Sequence, residues 1–481
     1  MRRLGWLALA LLAVLPYARS VGAPLLYDDR TLLDNRWLVR EAGPASVFTH
    51  DYWYGTKHAG SDLYRPLTVL SLAWNMRAAP TKEGIRAVNI ALHAVATLAL
   101  CFLLSGLVPP DAAWLGAALF AVHPLGSEAV LWAVGRAEIL AAVFGMVAFV
   151  TFARLPVPGG RGHVKLLVSA ASFFVALCFK ESAAVWLAIG AAWLLLAGKA
   201  GRPATKTIAA RAAAYAVALA VYLALRVSAV GWARHEVPFV DNPLAHAGAA
   251  TRAANGVLLF ARYVGKMILP RTLSVEYGFD QLPVVPLVPW GAILALIAVA
   301  ASVAAIVALV RKGHTVAAFL AAFVPIAFAV TGNVLFPIGT IFAERLAYTP
   351  LLGACALGGL AVASIPARTA RIALATALLA ACATRTTVRA GDYRGLVALS
   401  EATAAASPRS VKSLANAGRT RLRQGNAAGA ADLLERAVTI WPDYGSAWRL
   451  LAEARDAMGD AAGAQQARER AAAAPSADEP L

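Results

Sequence analysis

Residues 1–30 read MRRLGWLALALLAVLPYARSVGAPLLYDDR, an apolar run of about twenty residues set between two arginines and a pair of aspartates. A run of that length is enough for a helix to cross a bilayer. Arg2 and Arg3 hold its start on the inner side, so Asp28 and Asp29 emerge at the outer surface. A cleaved signal peptide is the competing reading, but Tyr17-Ala18-Arg19-Ser20 puts an arginine where small neutral residues are needed. The segment is therefore read as retained. Two adjacent carboxylates at a membrane surface then become the first candidates for acid–base chemistry.

The rest of the composition agrees with a membrane chain. Of 481 residues, 59% are hydrophobic and 15% charged, and the mean hydropathy is +0.63. That is too apolar for one soluble core and implies a polytopic, all-α membrane protein. The net charge of +17 is spread along interhelical loops and the tail instead of forming one patch. Membrane topology and anionic lipid account for it, and a nucleic-acid partner is not implied. Cys101, Cys178, Cys355 and Cys382 all lie in apolar runs without metal-ligand spacing and are expected to be buried and free.

Residues 24–85 form a long polar stretch. Leu32, Leu33, Trp37 and Leu38 among the charges of Arg30 to Arg40 suit a helix lying in the interface plane, and Ala45 to Tyr54 suits a second. Further apolar runs follow at about 86–107, 108–122, 129–153, 164–179, 182–197, 208–230, 287–310, 314–331, 342–364 and 368–384, which with the first make eleven spans. Asn255 to Pro270 is short and carries Arg262 and Lys266, and loop charge decides its status. If it does not cross, Arg154 with Arg161 and Lys165, Lys199 to Arg211, Arg311-Lys312, and Arg368 with Arg371 all share the side of Arg2 and Arg3. It is therefore read as re-entrant or interfacial, and the C-terminus as external.

Beyond Thr384 a period of 34 residues appears: Gly425, Ala430 and Ala437 recur as Gly459, Ala464 and Ala471, and Pro408 recurs as Pro442. These are tetratricopeptide marks, in which small residues let two helices approach, Trp448 fills a wedge and Pro442 ends a helix. The expected division is a membrane domain over 1–384, a repeat domain over 385–475 with a partial unit at Asp392 to Pro408, and a disordered tail over 476–481. An Ala-rich helical tail without repeat order is the alternative.

For Asp28 and Asp29 the bland role is helix capping, with Asp28 at the N-cap and Asp29 in the first turn. Charges at the outer ends of later spans argue for more. His123, Glu128, Arg136 and Glu138 crowd the joint between two spans, and Lys180-Glu181 and Glu344-Arg345 stand at two other outer ends. Ion pairs that merely neutralise buried charge are the alternative for each set. Taken together, carboxylates and cations on one face suit the loss of a sugar from an anionic lipid carrier to a hydroxyl. A carboxylate takes the acceptor proton and a cation offsets charge on the leaving phosphate.

The ordered stretches Tyr27-Asp28-Asp29, Val47-Phe48-Thr49-His50-Asp51-Tyr52-Trp53, Tyr64-Arg65-Pro66-Leu67, Val88-Asn89-Ile90-Ala91-Leu92-His93, His123-Pro124, Ser127-Glu128-Ala129-Val130, Val134-Gly135-Arg136-Ala137-Glu138, Lys180-Glu181-Ser182 and Glu344-Arg345-Leu346-Ala347-Tyr348 carry a resemblance. The sequence resembles the transmembrane-and-tetratricopeptide-repeat O-mannosyltransferases and their bacterial relatives. The resemblance implies a C-type glycosyltransferase fold, a polyprenyl-phosphate sugar donor, mannose as the sugar and inversion at the anomeric carbon. It implies Asp28 as the catalytic base, with Asp29 orienting the acceptor or assisting. Arg136, Lys180 and Arg345 become candidates for the carrier phosphate, and His123, Glu128, Glu138, Glu181, Glu344, Arg65 and His93 for the pocket. No metal site is obvious. The departure from the family is the repeat tail, which is short beside the long arrays expected to present protein acceptors.

Two other classes compete. A lipid-linked sugar flippase or transporter would line a path with the same charges, but transport sites favour the bilayer midplane. A non-catalytic envelope assembly scaffold would use the repeats to recruit partners. High Ala, Gly, Arg and Pro usage points to a GC-rich bacterial source, which would make the outer face periplasmic.

Overall fold

The computed structural model describes residues 3–153, 162–196, 205–232, 236–286 and 289–474. Arg154, Arg161, the basic run from Lys199 to 204 and the tail 476–481 lie outside them. Among the described residues the ordered elements are helices: α1 (Arg3–Val14), α2 (Asp28–Leu33), α3 (Arg36–Arg40), α4 (Pro66–Ala78), α5 (Lys82–Leu104), α6 (Pro110–Val122), α7 (Ser127–Leu131), α8 (Arg136–Ala153), α9 (Gly162–Phe179), α10 (Val185–Leu196), α11 (Thr205–Val230), α12 (Ala249–Ile268), α13 (Pro289–Arg311), α14 (Thr315–Ala329), α15 (Tyr348–Ala363), α16 (Arg368–Asp392), α17 (Leu396–Ala406), α18 (Val411–Arg423), α19 (Ala427–Ile440), α20 (Gly445–Ala457) and α21 (Ala461–Ala473).

Seven described helices are long and apolar enough to cross a membrane (α5, α8, α9, α11, α13, α15 and α16), or eight if α6 and the bent segment Pro124–Leu131 form one broken span. The protein is therefore an all-helical integral membrane protein. Residues Glu181–Leu196 and Thr315–Ala329 are apolar but shorter. The first segment also falls short: α1 stops at Val14, and Leu15–Ser20 tightens into a 3₁₀ turn with Pro16 near its start. α12 carries Arg252, Arg262 and Lys266 and is not among the crossing helices. The run at 129–153 does not form one helix, because α7 ends at Leu131 and α8 starts at Arg136. Gly135 sits in that break, where a Cβ would fall 2.2 Å from the Ala129 carbonyl oxygen.

The chain divides into two compact units, the first formed by Met1–His235, Ala298–Thr331 and Arg345–Ala390. In it α6 lies against α15, α8 against α9, and α1 against both α5 and α6. Small residues permit the closest approach: a Cβ on Gly359 would come 2.4 Å from the Gly116 nitrogen. The polar stretch 24–85 is a shelf with its own core of Leu32, Leu33, Leu38, Val47, Tyr52, Val69 and Leu72. The single helix expected over Arg30 to Arg40 is broken in two, because the Asn35 side chain accepts from the Trp37 amide at 3.0 Å and starts α3 anew. The second expected helix is reduced to a 3₁₀ turn at Ser46–Phe48.

The second unit comprises Glu236–Ile297, Gly332–Glu344 and Gly391–Leu481, so it divides the chain differently from a cut at 384. Phe239 and Phe279 pack on Trp441, which stacks on Tyr444, and this draws part of the 236–297 segment to the hairpins α18–α19 and α20–α21. The 34-residue period is visible in bonding. Arg421 pairs with Glu401 and donates to the Gly429 carbonyl, and Arg455 pairs with Glu435 and donates to the Gly463 carbonyl. Gly425 and Gly459 take φ of 77° and 79°, the left-handed turn that ends each first helix.

Candidate functional site

Asp28 and Asp29 open α2, but neither is its N-cap. Tyr27 holds that position with φ 47° and no side-chain capping bond, which corrects the placement of Asp28 as the cap. A tyrosine at positive φ is strained, and such strain gathers at functional positions. The Tyr27 ring lies parallel to Trp132 at 6.0 Å. The two carboxylates have different settings. Asp29 is 2% exposed and accepts from the backbone amides of Ala133 at 2.8 Å and Val134 at 3.1 Å, while Asp28 is half-buried. Burial pushes the Asp29 carboxyl up to about 6; the Ala133 and Val134 amides and Arg86 oppose the rise, and Asp28 adds to it.

The other charged sets resolve into pairs. Lys180 is bonded to Glu138, each side chain 5% exposed, and burial lowers the lysine's affinity for its proton against the pull of Glu138. Glu128 is fully buried and takes both the backbone amide of Arg345, at 2.9 Å, and its guanidinium. Arg65 grips Glu181 through two bonds of 2.9 and 2.6 Å. Burial alone would lower the Arg65 value, but Glu181 outweighs it and holds the guanidinium firmly charged. The register of this pair is set nearby, where the Thr68 hydroxyl of α4 donates to the Phe179 carbonyl at the end of α9.

Arg136 is placed otherwise. It is 1% exposed and donates to Asn89 Oδ1 at 2.8 Å, Asn75 Oδ1 at 2.6 Å and the carbonyls of Ser71 and Ile85 at 3.0 and 3.3 Å. Those bonds make it a clamp between α4, α5 and α8. His93 is buried, with its ring nitrogens 2.8 Å from the Tyr348 hydroxyl and 3.1 Å from the Ala121 carbonyl. His123 accepts the Leu125 amide at 3.2 Å and caps the turn that begins with Pro124. Glu344 falls in the second unit, where it accepts from Tyr277 at 2.5 Å and Ser274 at 2.7 Å.

Asp28, Asp29, Tyr52, Arg65, Glu128, Glu138 and Arg345 act on one another electrostatically, so the structure brings most of the sequence-selected charges into one neighbourhood. Among the paired cations there, Arg345 keeps the most exposure at 29%, against 15% for Arg65 and 5% for Lys180. Among the described residues no group of three or more His, Cys, Asp or Glu side chains is placed to hold a metal ion. Asn75, Arg86, Asn89 and Trp132 were not selected from sequence. Asn89 lies in a quoted stretch and joins Trp132 to Arg136, because its Nδ2 donates to the Trp132 carbonyl at 2.6 Å. Arg86 donates to the Pro24 carbonyl at 3.0 Å and steadies the approach to Asp28.

The fold and this face define a polytopic helical membrane protein with a dense acid–base cluster at one group of helix ends. The chain is 25% identical over 465 residues to the mouse protein O-mannosyl-transferase TMTC4, covering 84% of this chain and 62% of that protein. It is 26% identical to mouse protein O-mannosyl-transferase TMTC3, covering 71% of this chain and 40% of that one. Over a shorter 160 residues it is 36% identical to human protein O-mannosyl-transferase TMTC1, covering 31% of this chain and 18% of the relative. The chain spans 62% and 53% of the mouse and human TMTC4 proteins it matches. No protein-family model matches it. The resemblance read from the ordered motifs is thus met in several protein O-mannosyl-transferases.

Proposed function

We propose that the chain is an inverting glycosyltransferase that moves a sugar, mannose by the names of its relatives, from a polyprenyl-phosphate donor to a hydroxyl, with Ser or Thr of a protein as the acceptor. One observation carries the assignment of roles: of the two adjacent carboxylates, Asp29 is committed to two backbone amides, and Asp28 is the more exposed and lies in the field of Arg345. Asp28 takes the proton of the acceptor hydroxyl as its oxygen attacks the anomeric carbon. The bond from that carbon to the phosphate oxygen breaks, its electron pair leaves with polyprenyl phosphate, and one displacement inverts the centre. Arg345 offsets the charge on the leaving phosphate, with Arg65 next to it in accessibility. Glu128, Glu181 and Glu138 hold Arg345, Arg65 and Lys180 in place.

The topology follows the same reading. Adding α1 continued by the 3₁₀ turn Leu15–Ser20, α10 and α14 to the seven long helices and the bent pair gives eleven spans, with the Asp28 face and the C-terminal hairpins outside. In a bacterial inner membrane that side is the periplasm. The 34-residue hairpins are tetratricopeptide repeats that act with segment 236–297 and meet the acceptor or a partner protein. The test is transfer of radiolabelled mannose from polyprenyl phosphate to endogenous protein in membranes with and without the full chain. Label in protein that depends on the chain supports the reading; lipid translocation without label in any acceptor would replace it by transport.

A further inference from the structure

Two side chains in the shelf and the α7–α8 joint are held firmly and yet keep a hydrogen-bond donor without a partner. Trp132 is 7% exposed. Its amide donates to the Glu128 carbonyl at 3.3 Å, its carbonyl accepts from Asn89 at 2.6 Å, the next two amides are held by Asp29, and its ring is stacked on Tyr27. Its indole Nε1–H has no hydrogen-bond partner. Tyr52 is 2% exposed, its amide donates to the Leu63 carbonyl at 2.8 Å, and the Arg65 guanidinium lies over its ring at 5.3 Å. Its hydroxyl also has no partner. Buried donors without acceptors are uncommon in native proteins and carry the cost of lost hydration.

Both border the stretch around Asp28. Trp132 packs on the residue before Asp28, and the Tyr52 hydroxyl feels the charges of Arg65, Asp28, Asp29 and Arg345. Burial raises the Tyr52 value well above that of an ordinary phenol, so it remains a donor at neutral pH and does not serve as a base. Of the carboxylates around them, Asp29 is committed to amides, Glu128 to Arg345, Glu138 to Lys180 and Glu181 to Arg65, and Asp28 is the one assigned to the acceptor hydroxyl. Two donors among committed acceptors call for a ligand group that only accepts. A sugar hydroxyl both donates and accepts, whereas the non-bridging oxygens of a phosphodiester accept alone.

We infer that Tyr52 Oη–H and Trp132 Nε1–H bind the phosphate of the lipid-linked donor, next to Arg345. This inference rests on the donor class given under the proposed function. The two neutral donors receive the phosphate without displacing a carboxylate from its cation, and the Asp29 latch on Ala133 and Val134 keeps Trp132 in position.

The test uses the full chain in lipid nanodiscs as wild type, Tyr52→Phe, Trp132→Phe and the control Tyr54→Phe. Binding is measured for three probes: polyprenyl phosphate, polyprenyl-phosphate mannose and polyprenol. Each of the first two substitutions removes one donor to a charged group, which corresponds to a rise of about 10-fold to 100-fold in Kd for both phosphorylated lipids. Polyprenol binding, Tyr54→Phe and the thermal midpoint should not change. Unchanged affinity for polyprenyl phosphate would overturn the inference, as would an equal loss for polyprenol or a loss confined to the mannose-bearing lipid. Wild type that binds phosphorylated lipid in this pattern but transfers no sugar would sink the transferase reading and leave the phosphate site standing.

Discussion

Lys412 in the second unit and Asp29 in the first are both buried charges with named partners, and their surroundings act on them in opposite directions. Lys412 lies 2.5 Å from Asp241 and 3.8 Å from Glu276, and although burial lowers its value, the two carboxylates raise it further and fix its charge. Asp29 has two backbone amides and the field of Arg86, and these do not offset its burial, so its carboxyl is pushed toward neutrality. The Lys412 group has the character of a structural staple. The Asp29 neighbourhood adds a strained Tyr27, a feature that packing alone does not call for. An ion pair by itself therefore does not distinguish a site from a staple; what distinguishes the Asp28 face is burial without full compensation.

The comparison is sharpest where a buried pair is cut. Lys180→Met strands Glu138 at 5% exposure and should cost about 3–5 kcal/mol in denaturant unfolding of the purified chain, while Lys180→Met with Glu138→Leu should recover most of that. A single substitution with no cost would mean the pair is not buried as described. Lys412→Met should cost less, about 1–3 kcal/mol, because Asp241 and Glu276 keep 23% and 18% of their side-chain surface and can be rehydrated. An equal loss at both lysines would erase the contrast.

A smaller effect is expected from pH. The folded-state value of Asp29, about 6, lies above its ordinary 3.8. Between these values the unfolded chain binds fewer protons, so the contribution of Asp29 to stability falls as pH rises from about 4 to about 6 and stays lower above. Asp29→Asn should remove that slope from a stability–pH curve, and an unchanged slope would assign it to another group. The smallest effect is at the surface pair Arg30–Asp34, with side chains 75% and 70% exposed, where Arg30→Ala should shift stability by no more than about 0.5 kcal/mol and leave transfer unchanged.

Much of this architecture was legible in sequence. Apolar runs long enough to span gave the membrane class, and the 34-residue spacing read from Gly425 and Gly459 recurs in two bonds that the sequence reading did not name, Arg421–Glu401 and Arg455–Glu435. The charged sets at His123 to Glu138, Lys180-Glu181 and Arg345 were selected for their position at span ends, and most proved to be mutual partners. What sequence could not give was pairing across long separations. Arg136 reads like any arginine at an outer helix end until Asn75 and Asn89 close on it. Asp28 and Asp29 are the same residue type side by side, and only the turn at 133–134, more than a hundred positions away, separates their settings. Helix breaks were likewise hidden, because Gly135 and Asn35 act through local backbone geometry that hydropathy does not record.

The most direct measurement is sugar transfer from radiolabelled polyprenyl-phosphate mannose in membranes holding wild type, Asp28→Asn or Asp29→Asn at matched levels. With Asp28 as base, Asp28→Asn should lose about 10²- to 10⁴-fold in rate with the fold intact, while Asp29→Asn, which can still accept from an amide, should keep measurable transfer. Full transfer by Asp28→Asn together with its loss in Asp29→Asn would contradict the assignment.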